Sequence, residues 1–364
     1  MMKLNHTRSL LAAMLALVML LAAGCSSAPA AQPTAAPTAQ PTATAQPAPT
    51  VDPAEKTTRS GFYFNTVVTI TLYGAPEGLM DQLLLACGKY ENLLSRTIAT
   101  SDVSRINASQ GKTITVDPET WDILRRAKEI SSLTEGAFSV TIAPMSTQWD
   151  FVNGTNRMPT ESERLAVIDL VDDEKLILGE GNTVTLPAGM EIDLGGIAKG
   201  YIADKLAEMV RGKVTGAMLN FGGNVYVVGT KPDGSGFRVG VANPDKTSAD
   251  AHSAIVTVTD RTVVTSGTYE RYFYVDDVKY HHILDRTTGL PAVTDLDGVT
   301  IVSTSSMDAD AFATACVVMG REKALAMLEQ NKIDALLVDS NGYVYLTAGL
   351  EDQYPVTVIG KPGK

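Results

Sequence analysis

The stretch Asp193-Leu194-Gly195-Gly196-Ile197-Ala198-Lys199-Gly200 combines a glycine pair with a lysine three residues later, and both bear on the fold and on the chemistry of the protein. It predicts a short strand from Met190, a turn at the glycine pair, and a helix that runs to about Val210. Lys199 then lies in the first helical turn, where the helix dipole disfavours a cation unless an anion is also present. Because helix N-termini bind phosphate through free N–H groups, the stretch indicates a phosphate site. The alternative is a solvated lysine after an ordinary turn.

A second candidate site lies on the helix predicted from Asp308 to Met319. Asp310 and Thr314 are four residues apart, so they share one helical face. Their neighbours are alanine, phenylalanine and cysteine, which we expect to be buried. A carboxylate and a hydroxyl in apolar surroundings are hard oxygen ligands of the kind that Mg²⁺ prefers. The alternative is that Asp308 or Asp310 caps the helix while Thr314 bonds back to the backbone.

A third candidate is the histidine pair at 281–282. His282 is followed by Asp285 and by a turn predicted at Thr288-Gly289. A histidine near a carboxylate can act as a general base near neutral pH. Equally, Asp285 would stabilise the turn while both histidines take no part in chemistry. Without a third ligand, the pair does not predict a zinc site.

Helix and strand patterns interleave along the rest of the chain without strict alternation, which predicts an α+β fold with mixed sheets and packed helices. Besides the helices above, helices are predicted at 81–94, 118–133 and 322–331. Strands are predicted at 67–72, 217–220, 225–229, 238–241, 254–258, 272–275, 335–338 and 343–347. A body of roughly 300 residues forms one large domain or two intimate ones.

The first residues predict an export signal rather than part of the fold. Lys3 and Arg8 precede an apolar run of about 14 residues, too short for a transmembrane helix of roughly 20. The run ends in Gly24-Cys25 and resembles a bacterial lipobox, which predicts a signal peptide at 1–24 and a lipid on Cys25. The alternative is an ordinary signal peptide that leaves a free thiol.

Residues 25–58 are rich in Ala, Pro, Thr and Gln, with few apolar groups to offset ordering entropy, and predict a disordered, lipidated tether. The folded body is predicted at 59–364. These segments together predict an extracytoplasmic protein anchored by lipid to the bacterial membrane.

Charge and cysteine content exclude other classes. The net charge is −11 with no basic cluster in the body, which argues against nucleic acid as a partner. Cys87 and Cys316 lie in apolar, helix-like stretches and are predicted to be buried free thiols rather than a disulfide. Two cysteines do not make a structural zinc site.

Taken in order, these stretches resemble the ApbE family, the FAD:protein FMN transferases, over essentially the whole body from Phe64. The most specific matches are 193–200, the 282–285 turn that ends at Gly289, and 309–315. The resemblance implies an ApbE-like fold and a Mg²⁺ ion bound by the side chains of Asp310 and Thr314 and the backbone carbonyl of Gly196. It implies that His282 is the catalytic base. The positions implied for FAD binding are Phe64, Ala137, Phe138, Ser139, Asp193, Lys199 and Leu284.

Three departures from the family pattern accompany the resemblance. Ser139 replaces the usual aspartate of an Ala-Phe-Asp segment, and Phe64 stands where many members have methionine. Arg286 replaces the proline that usually follows Asp285. None of them removes an implied metal ligand.

The resemblance implies a reaction in which FAD is split and its FMN half is attached to a Thr or Ser hydroxyl of an acceptor protein, with AMP released. The implied acceptor is a membrane redox subunit or an extracytoplasmic flavoprotein. Two alternatives remain from the sequence: an FAD pyrophosphatase that uses water in place of the acceptor, and a solute-binding lipoprotein that serves a transporter.

Overall fold

The structure is a computed structural model that describes residues 52–149, 151 and 155–363. The predicted signal peptide, Cys25 and most of the predicted tether lie outside these residues. Within the part described, no helix has the length and apolar character needed to cross a membrane. The strands, in chain order, are β1 (Lys56–Tyr63), β2 (Thr66–Tyr73), β3 (Ile114–Thr115), β4 (Ile177–Gly179), β5 (Thr183–Thr185), β6 (Gly216–Phe221), β7 (Asn224–Gly229), β8 (Phe237–Ala242), β9 (His252–Val258), β10 (Arg261–Gly267), β11 (Tyr272–Val275), β12 (Val278–His281), β13 (Leu296–Ser303), β14 (Asp334–Asp339), β15 (Tyr343–Leu346), β16 (Val356–Val358) and β17 (Lys361–Pro362).

The helices pack against these strands. They are α1 (Leu79–Leu94), α2 (Asp102–Asn107), α3 (Pro118–Leu133), α4 (Ala143–Trp149), α5 (Glu161–Leu165), α6 (Ala198–Val210), α7 (Ser306–Met319), α8 (Arg321–Gln330) and α9 (Ala348–Gln353), with short 3₁₀ turns at Val140–Ile142, Ile168–Leu170 and Asp173–Lys175. The mixture of helices and sheets agrees with the predicted α+β class.

A nine-stranded sheet forms the centre of the fold, in the order β1-β2-β6-β7-β10-β13-β14-β15-β17. Its neighbours are antiparallel except for the last pair, β15 and β17. Smaller sheets are formed by β16-β9-β8, by β3-β5-β4 and by the β11-β12 hairpin. The long antiparallel sheet has one main core on the side where α1, α6 and α7 pack.

Helix α7 lies between α6 and strands β10 and β13. Its alanines at 309, 311, 313 and 315 are at most 1% exposed, and these small side chains allow close packing. The contact with α6 is closer still, because a Cβ placed on Gly200 would lie 2.1 Å from the carbonyl oxygen of Ser306. The two helices that carry the first two candidate sites are therefore fixed against each other.

Most of the elements that the sequence predicted are present in the structure, and one of them is absent. Helix α3 has the predicted bounds, and Asp117 caps it before Pro118. No strand precedes the glycine pair, however. The backbone N–H and carbonyl of Ile192 bond to the side chain of Asn107, and the N–H of Asp193 bonds to the carbonyl of Val140. This segment is therefore held by loop contacts instead of a sheet.

Two further differences concern strands and helices. The first strand begins at Lys56, inside the segment that the sequence assigned to the tether. The elements that were not predicted are strands β1, β3, β4, β5, β10, β12, β13, β16 and β17 and helices α2, α4, α5 and α9, although β10 and β13 lie in the middle of the central sheet. Cys87 and Cys316 are buried free thiols, as predicted.

Candidate functional site

A large cavity of about 1870 Å³ opens beside the N-terminus of α6. It is bordered by the β1–β2 turn, the segment at 136–139, the end of β10 and one face of α7. Every site residue that the sequence predicted within the described part of the chain lines this one cavity: Phe64, Ala137, Phe138, Ser139, Asp193, Gly196, Lys199, His282, Leu284, Asp310 and Thr314. The fold thus brings the three candidate sites together.

Asp310 joins the first two candidate sites. Its Oδ2 accepts a hydrogen bond of 3.1 Å from the N–H of Gly200, and its Oδ1 lies 3.5 Å from Nζ of Lys199. The carboxylate, whose side chain is 3% exposed, therefore sits at the positive end of the α6 dipole. It does not cap its own helix, because the Ser305 side chain caps α7. Asp308 instead forms an ion pair with Arg126.

Thr314 lies one helical turn farther along α7. Its hydroxyl is 3.1 Å from the carbonyl oxygen of Asp310, to which it donates, and 3.2 Å from Oγ of Ser266. The Thr314 hydroxyl therefore bonds back to its own helix, as the alternative to metal binding predicted, and it also lines the cavity. A Cβ placed on Gly196 would lie 3.6 Å from the Thr314 hydroxyl, so the glycine backbone is also close.

These donors fit a hard divalent cation whose shell is completed by a ligand. Asp310 offers a carboxylate oxygen, Thr314 a hydroxyl and Gly196 a carbonyl, all oxygen donors. Within the described residues, no group of three or more His, Cys, Asp or Glu side chains is arranged to hold a metal. Mg²⁺ commonly keeps several waters and binds one or two carboxylates together with substrate phosphates. A single carboxylate beside a substrate cavity matches that chemistry.

Lys199 is directed toward the glycine pair. Its ammonium donates a hydrogen bond of 3.0 Å to the carbonyl of Gly195 and lies beside Asp310, and the side chain is 26% exposed. The alternative of a freely solvated lysine is therefore wrong. A cation at a helix N-terminus, beside a cavity, creates a favourable place for an anion.

Asp193 is held by an arginine that the sequence analysis did not single out. Nη1 of Arg96 lies 3.0 Å from Oδ2 of Asp193, while Oδ1 accepts from the N–H of Gly195 at 2.8 Å. Arg96 also lines the cavity. The pair is 97 residues apart in sequence, so no local pattern connects it.

His282 is half-buried at the cavity wall, and its Nδ1 has no hydrogen-bond partner among the described residues. Burial, together with the positive charge of Arg271, lowers the pKa of His282 to about 3. The imidazole is therefore neutral at physiological pH, as a general base must be. Among the residues that the structure describes, no hydrogen bond joins the His282 ring to Asp285, whose Oδ1 accepts from the N–H and hydroxyl of Thr287. Asp285 stabilises the turn, which was the alternative.

The adjacent His281 has a structural position. It is 6% exposed and does not line the cavity, and its Nε2 lies 3.2 Å from the carbonyl of Ala292. Burial lowers the pKa of His281 to about 4. Of the histidine pair, only His282 faces the cavity.

One part of the cavity wall is apolar. We call it the aromatic end, and it is formed by Phe138, Ile142, Phe151 and Leu284, of which the last three belong to one hydrophobic cluster. A Cβ on Gly196 would lie 3.2 Å from the Phe138 ring, so this ring is the part of the aromatic end that borders the glycine pair. Ser139, at the position where the sequence departs from the family pattern, donates a hydrogen bond of 2.7 Å to the buried carboxylate of Asp173.

Two other lining residues have unusual surroundings. Phe64 adopts φ of 54° and Asn65 φ of 56°, so the two-residue β1–β2 turn holds a bulky residue in the left-handed region at the cavity edge.

Glu270 also lines the cavity, and desolvation is the main cause that raises its pKa, with the negative charge of Asp310 adding to the rise. The sequence analysis gave Glu270 no role, because it lies in a turn without a recognisable pattern.

Comparison with known proteins agrees with this arrangement. Residues 64–337 match the model of the ApbE family. An FAD:protein FMN transferase of Klebsiella pneumoniae is 34% identical over 79% of this chain and 91% of that protein. One from Treponema pallidum is 32% identical over 76% and 81%, respectively.

Solved structures show the same architecture. The flavin transferase ApbE of Vibrio cholerae superimposes with a TM-score of 0.75 at 28% identity and covers 82% of this chain and 99% of that one. An ApbE protein of Thermotoga maritima gives 0.75 at 29% identity, with 82% and 98% covered.

Proposed function

This chain belongs to the ApbE family, and we propose that it transfers the FMN half of FAD to a Thr or Ser hydroxyl of an acceptor protein, with release of AMP. One observation carries the proposal: Lys199, Gly196, Asp310 and Thr314 meet at one end of a cavity that His282 also lines. A diphosphate needs positive charge to bind, and this end of the cavity supplies the Lys199 ammonium and the positive end of the α6 dipole.

The binding residues hold the negatively charged pyrophosphate beside α6. Lys199 contributes a positive charge, and the N-terminus of α6 contributes the dipole. Asp310, Thr314 and the carbonyl of Gly196 would hold Mg²⁺, which, when bound, polarises the phosphoryl oxygens and stabilises charge on the leaving AMP. The Arg96–Asp193 ion pair fixes the loop that precedes the glycine pair.

His282 moves the proton. Its neutral imidazole accepts the proton of the acceptor hydroxyl as the hydroxyl oxygen forms a bond to the FMN phosphorus. The bond from that phosphorus to the bridging oxygen breaks, and AMP departs with the electron pair. The apolar aromatic end excludes water from the ring portion of FAD and orients it.

The test separates transfer from hydrolysis. The protein is incubated with FAD, Mg²⁺ and a candidate acceptor flavoprotein, and both AMP and covalent flavin fluorescence on the acceptor are measured. We expect the two products in equal amounts. AMP without a fluorescent acceptor would mean that the enzyme is an FAD pyrophosphatase, and neither product would reject the enzymatic proposal and favour a solute-binding protein.

We also propose that Cys25 carries a lipid that anchors the chain to the outer face of a bacterial membrane. The lipobox-like sequence and the Pro/Thr/Ala-rich segment at 25–58 support this proposal. Cys25→Ser is expected to move the protein from the membrane fraction to the soluble fraction and to stop labelling by a fatty-acid analogue. A variant that still fractionates with membranes would overturn it.

A further inference from the structure

Arg286 occupies space in the cavity that a side chain at position 136 would otherwise fill. A Cβ placed on Gly136, whose φ is 78°, would lie 2.3 Å from Nη2 and 2.5 Å from Cζ of Arg286. The guanidinium therefore packs directly on the backbone just before Ala137 and Phe138. Both Gly136 and Arg286 line the cavity.

The guanidinium is largely free to bind a ligand. Its one hydrogen bond is long, at 3.4 Å from Nη1 to the carbonyl of Val171, and it has no ion pair within the described residues. Arg96 and Arg157, which also line the cavity, each have a carboxylate partner. A half-buried guanidinium with unused donors in a substrate cavity indicates a recognition role.

Arg286 lies at the aromatic end rather than beside the phosphate-binding residues. Its Nη1 bonds to the carbonyl of Val171, and Val171 packs in the same hydrophobic cluster as Leu284, Ile142 and Phe151 of that end. Lys199 instead contacts Gly195 and Asp310. Arg286 is thus one of several cations that line the cavity, and a pyrophosphate held beside Lys199 leaves it for a different part of the ligand.

We propose that Arg286 binds the isoalloxazine ring of FAD by donating hydrogen bonds to two adjacent acceptors on its pyrimidine edge. The inference rests on the proposed function and adds a residue that determines which ring enters this end. The planar fork of arginine matches paired acceptors, such as a ring nitrogen beside a carbonyl oxygen. Adenine presents an acceptor next to an amino donor, which does not match the fork.

The test measures binding of each half of FAD to the full-length protein in detergent, without Mg²⁺. FMN and ADP are titrated separately by fluorescence and calorimetry. Arg286→Met is expected to weaken FMN binding about tenfold, the loss of one good bidentate contact, while ADP affinity stays unchanged. Arg286→Lys, which keeps the charge but not the fork, is expected to recover only part of the loss. In Arg286→Met the reduction potential of bound FMN is expected to fall, because the lost cation favours the more negative reduced ring.

Arg164→Met is the matched control. Arg164 donates to the carbonyl of Thr288 in the same turn but does not line the cavity. We expect it to leave FMN affinity unchanged. Equal losses in both variants would mean that Arg286 only supports the turn, and a loss of ADP instead of FMN binding would assign this end to adenine. Either result, or an unchanged Arg286→Met, overturns the inference. Failure of the wild-type protein to bind FMN or FAD would instead reject the proposed function.

Discussion

Asp310 Oδ1 and Lys199 Nζ lie 3.5 Å apart, across the contact between α7 and α6. The ion pair is mostly shielded from solvent, so it fixes the carboxylate and the ammonium at the place where we propose that the pyrophosphate binds. The charge on Asp310 has two partners in the protein, the ammonium of Lys199 and the N–H of Gly200. Its removal therefore tests the centre of the site.

Asp310→Asn is expected to lower Mg²⁺-dependent FAD cleavage on the order of 100-fold or more, because the carboxylate charge that would hold the cation is lost. The amide oxygen can still accept from Gly200, so we expect the fold to persist, as circular dichroism would verify. Asp308→Asn is the matched control on the same helix, since Asp308 pairs with Arg126 outside the cavity. Equal turnover in wild type and Asp310→Asn would defeat the metal assignment.

His282→Gln is expected to slow transfer by on the order of 100- to 10,000-fold with little change in FAD affinity. Because burial lowers the pKa of His282 to about 3, the free enzyme keeps the basic form from pH 8 down to pH 5. The dependence of kcat/KM on pH should therefore show no inflection near 6.5 from this group. Asp285→Asn, which alters only the turn, should change the rate little. Full activity in His282→Gln would remove it as the base.

The buried His281 predicts how stability responds to acid. Its pKa is about 4 in the folded protein and about 6.5 when unfolded, so between these values the unfolded chain binds more protons. Stability should therefore fall as pH drops from 6.5 toward 4, by roughly 2 kcal/mol at pH 5 from this residue. Urea unfolding of wild type and His281→Gln at pH 7 and pH 5 measures the difference. A wild-type loss no greater than that of the variant would contradict the assignment.

Comparison with the variant is needed because Asp204 has the opposite effect. Burial raises the pKa of Asp204 to about 6, above its unfolded value, although its carboxylate accepts from the N–H groups of Ser306 and Met307. Between pH 3.8 and pH 6 the folded state binds the extra proton, so this group favours folding more at the acidic end. It is present in both proteins and cancels in their difference.

Arg96 and Asp193 should act as one unit. Arg96→Met and Asp193→Asn are each expected to raise KM for FAD about tenfold, because either change releases the loop before the glycine pair. The double variant should be little worse than either single one, since the interaction is lost only once. Arg59→Met, which breaks the exposed pair with Asp81, is the control. Additive effects would show that the two residues act independently.

The features that the sequence predicted correctly are those whose contacts join residues close together in the chain. Helix α3 was predicted with correct bounds because its cap, its proline and its apolar stripe are all local. The face shared by Asp310 and Thr314 was predicted for the same reason. The strand expected before the glycine pair was wrong, because Asn107, far away in sequence, satisfies that backbone. Central strands β10 and β13 were missed, since strands buried in the middle of a sheet lack clear alternation.

The candidate site follows the same rule. The resemblance identified residues that line the cavity, but the partners of those residues come from distant segments. Arg96, Glu270 and Arg286 have no local pattern that indicates a role, and only the fold brings them to the cavity. The sequence suggested Asp285 as a carboxylate beside His282. In the structure its Oδ1 accepts hydrogen bonds from Thr287 and stabilises the turn.

Gly200, the last residue of the stretch at 193–200, is required for the packing of two helices as well as for the chemistry of the site. No other residue can stand there without pushing α7 off α6, because even a methyl group would overlap the backbone of Ser306. Such a displacement would carry Asp310 away from the N–H that it accepts. Glycine at this position therefore sets the distance between α6 and α7. Redesign of this enzyme for other substrates has to begin in the loops around the cavity and leave the contact between these two helices unaltered.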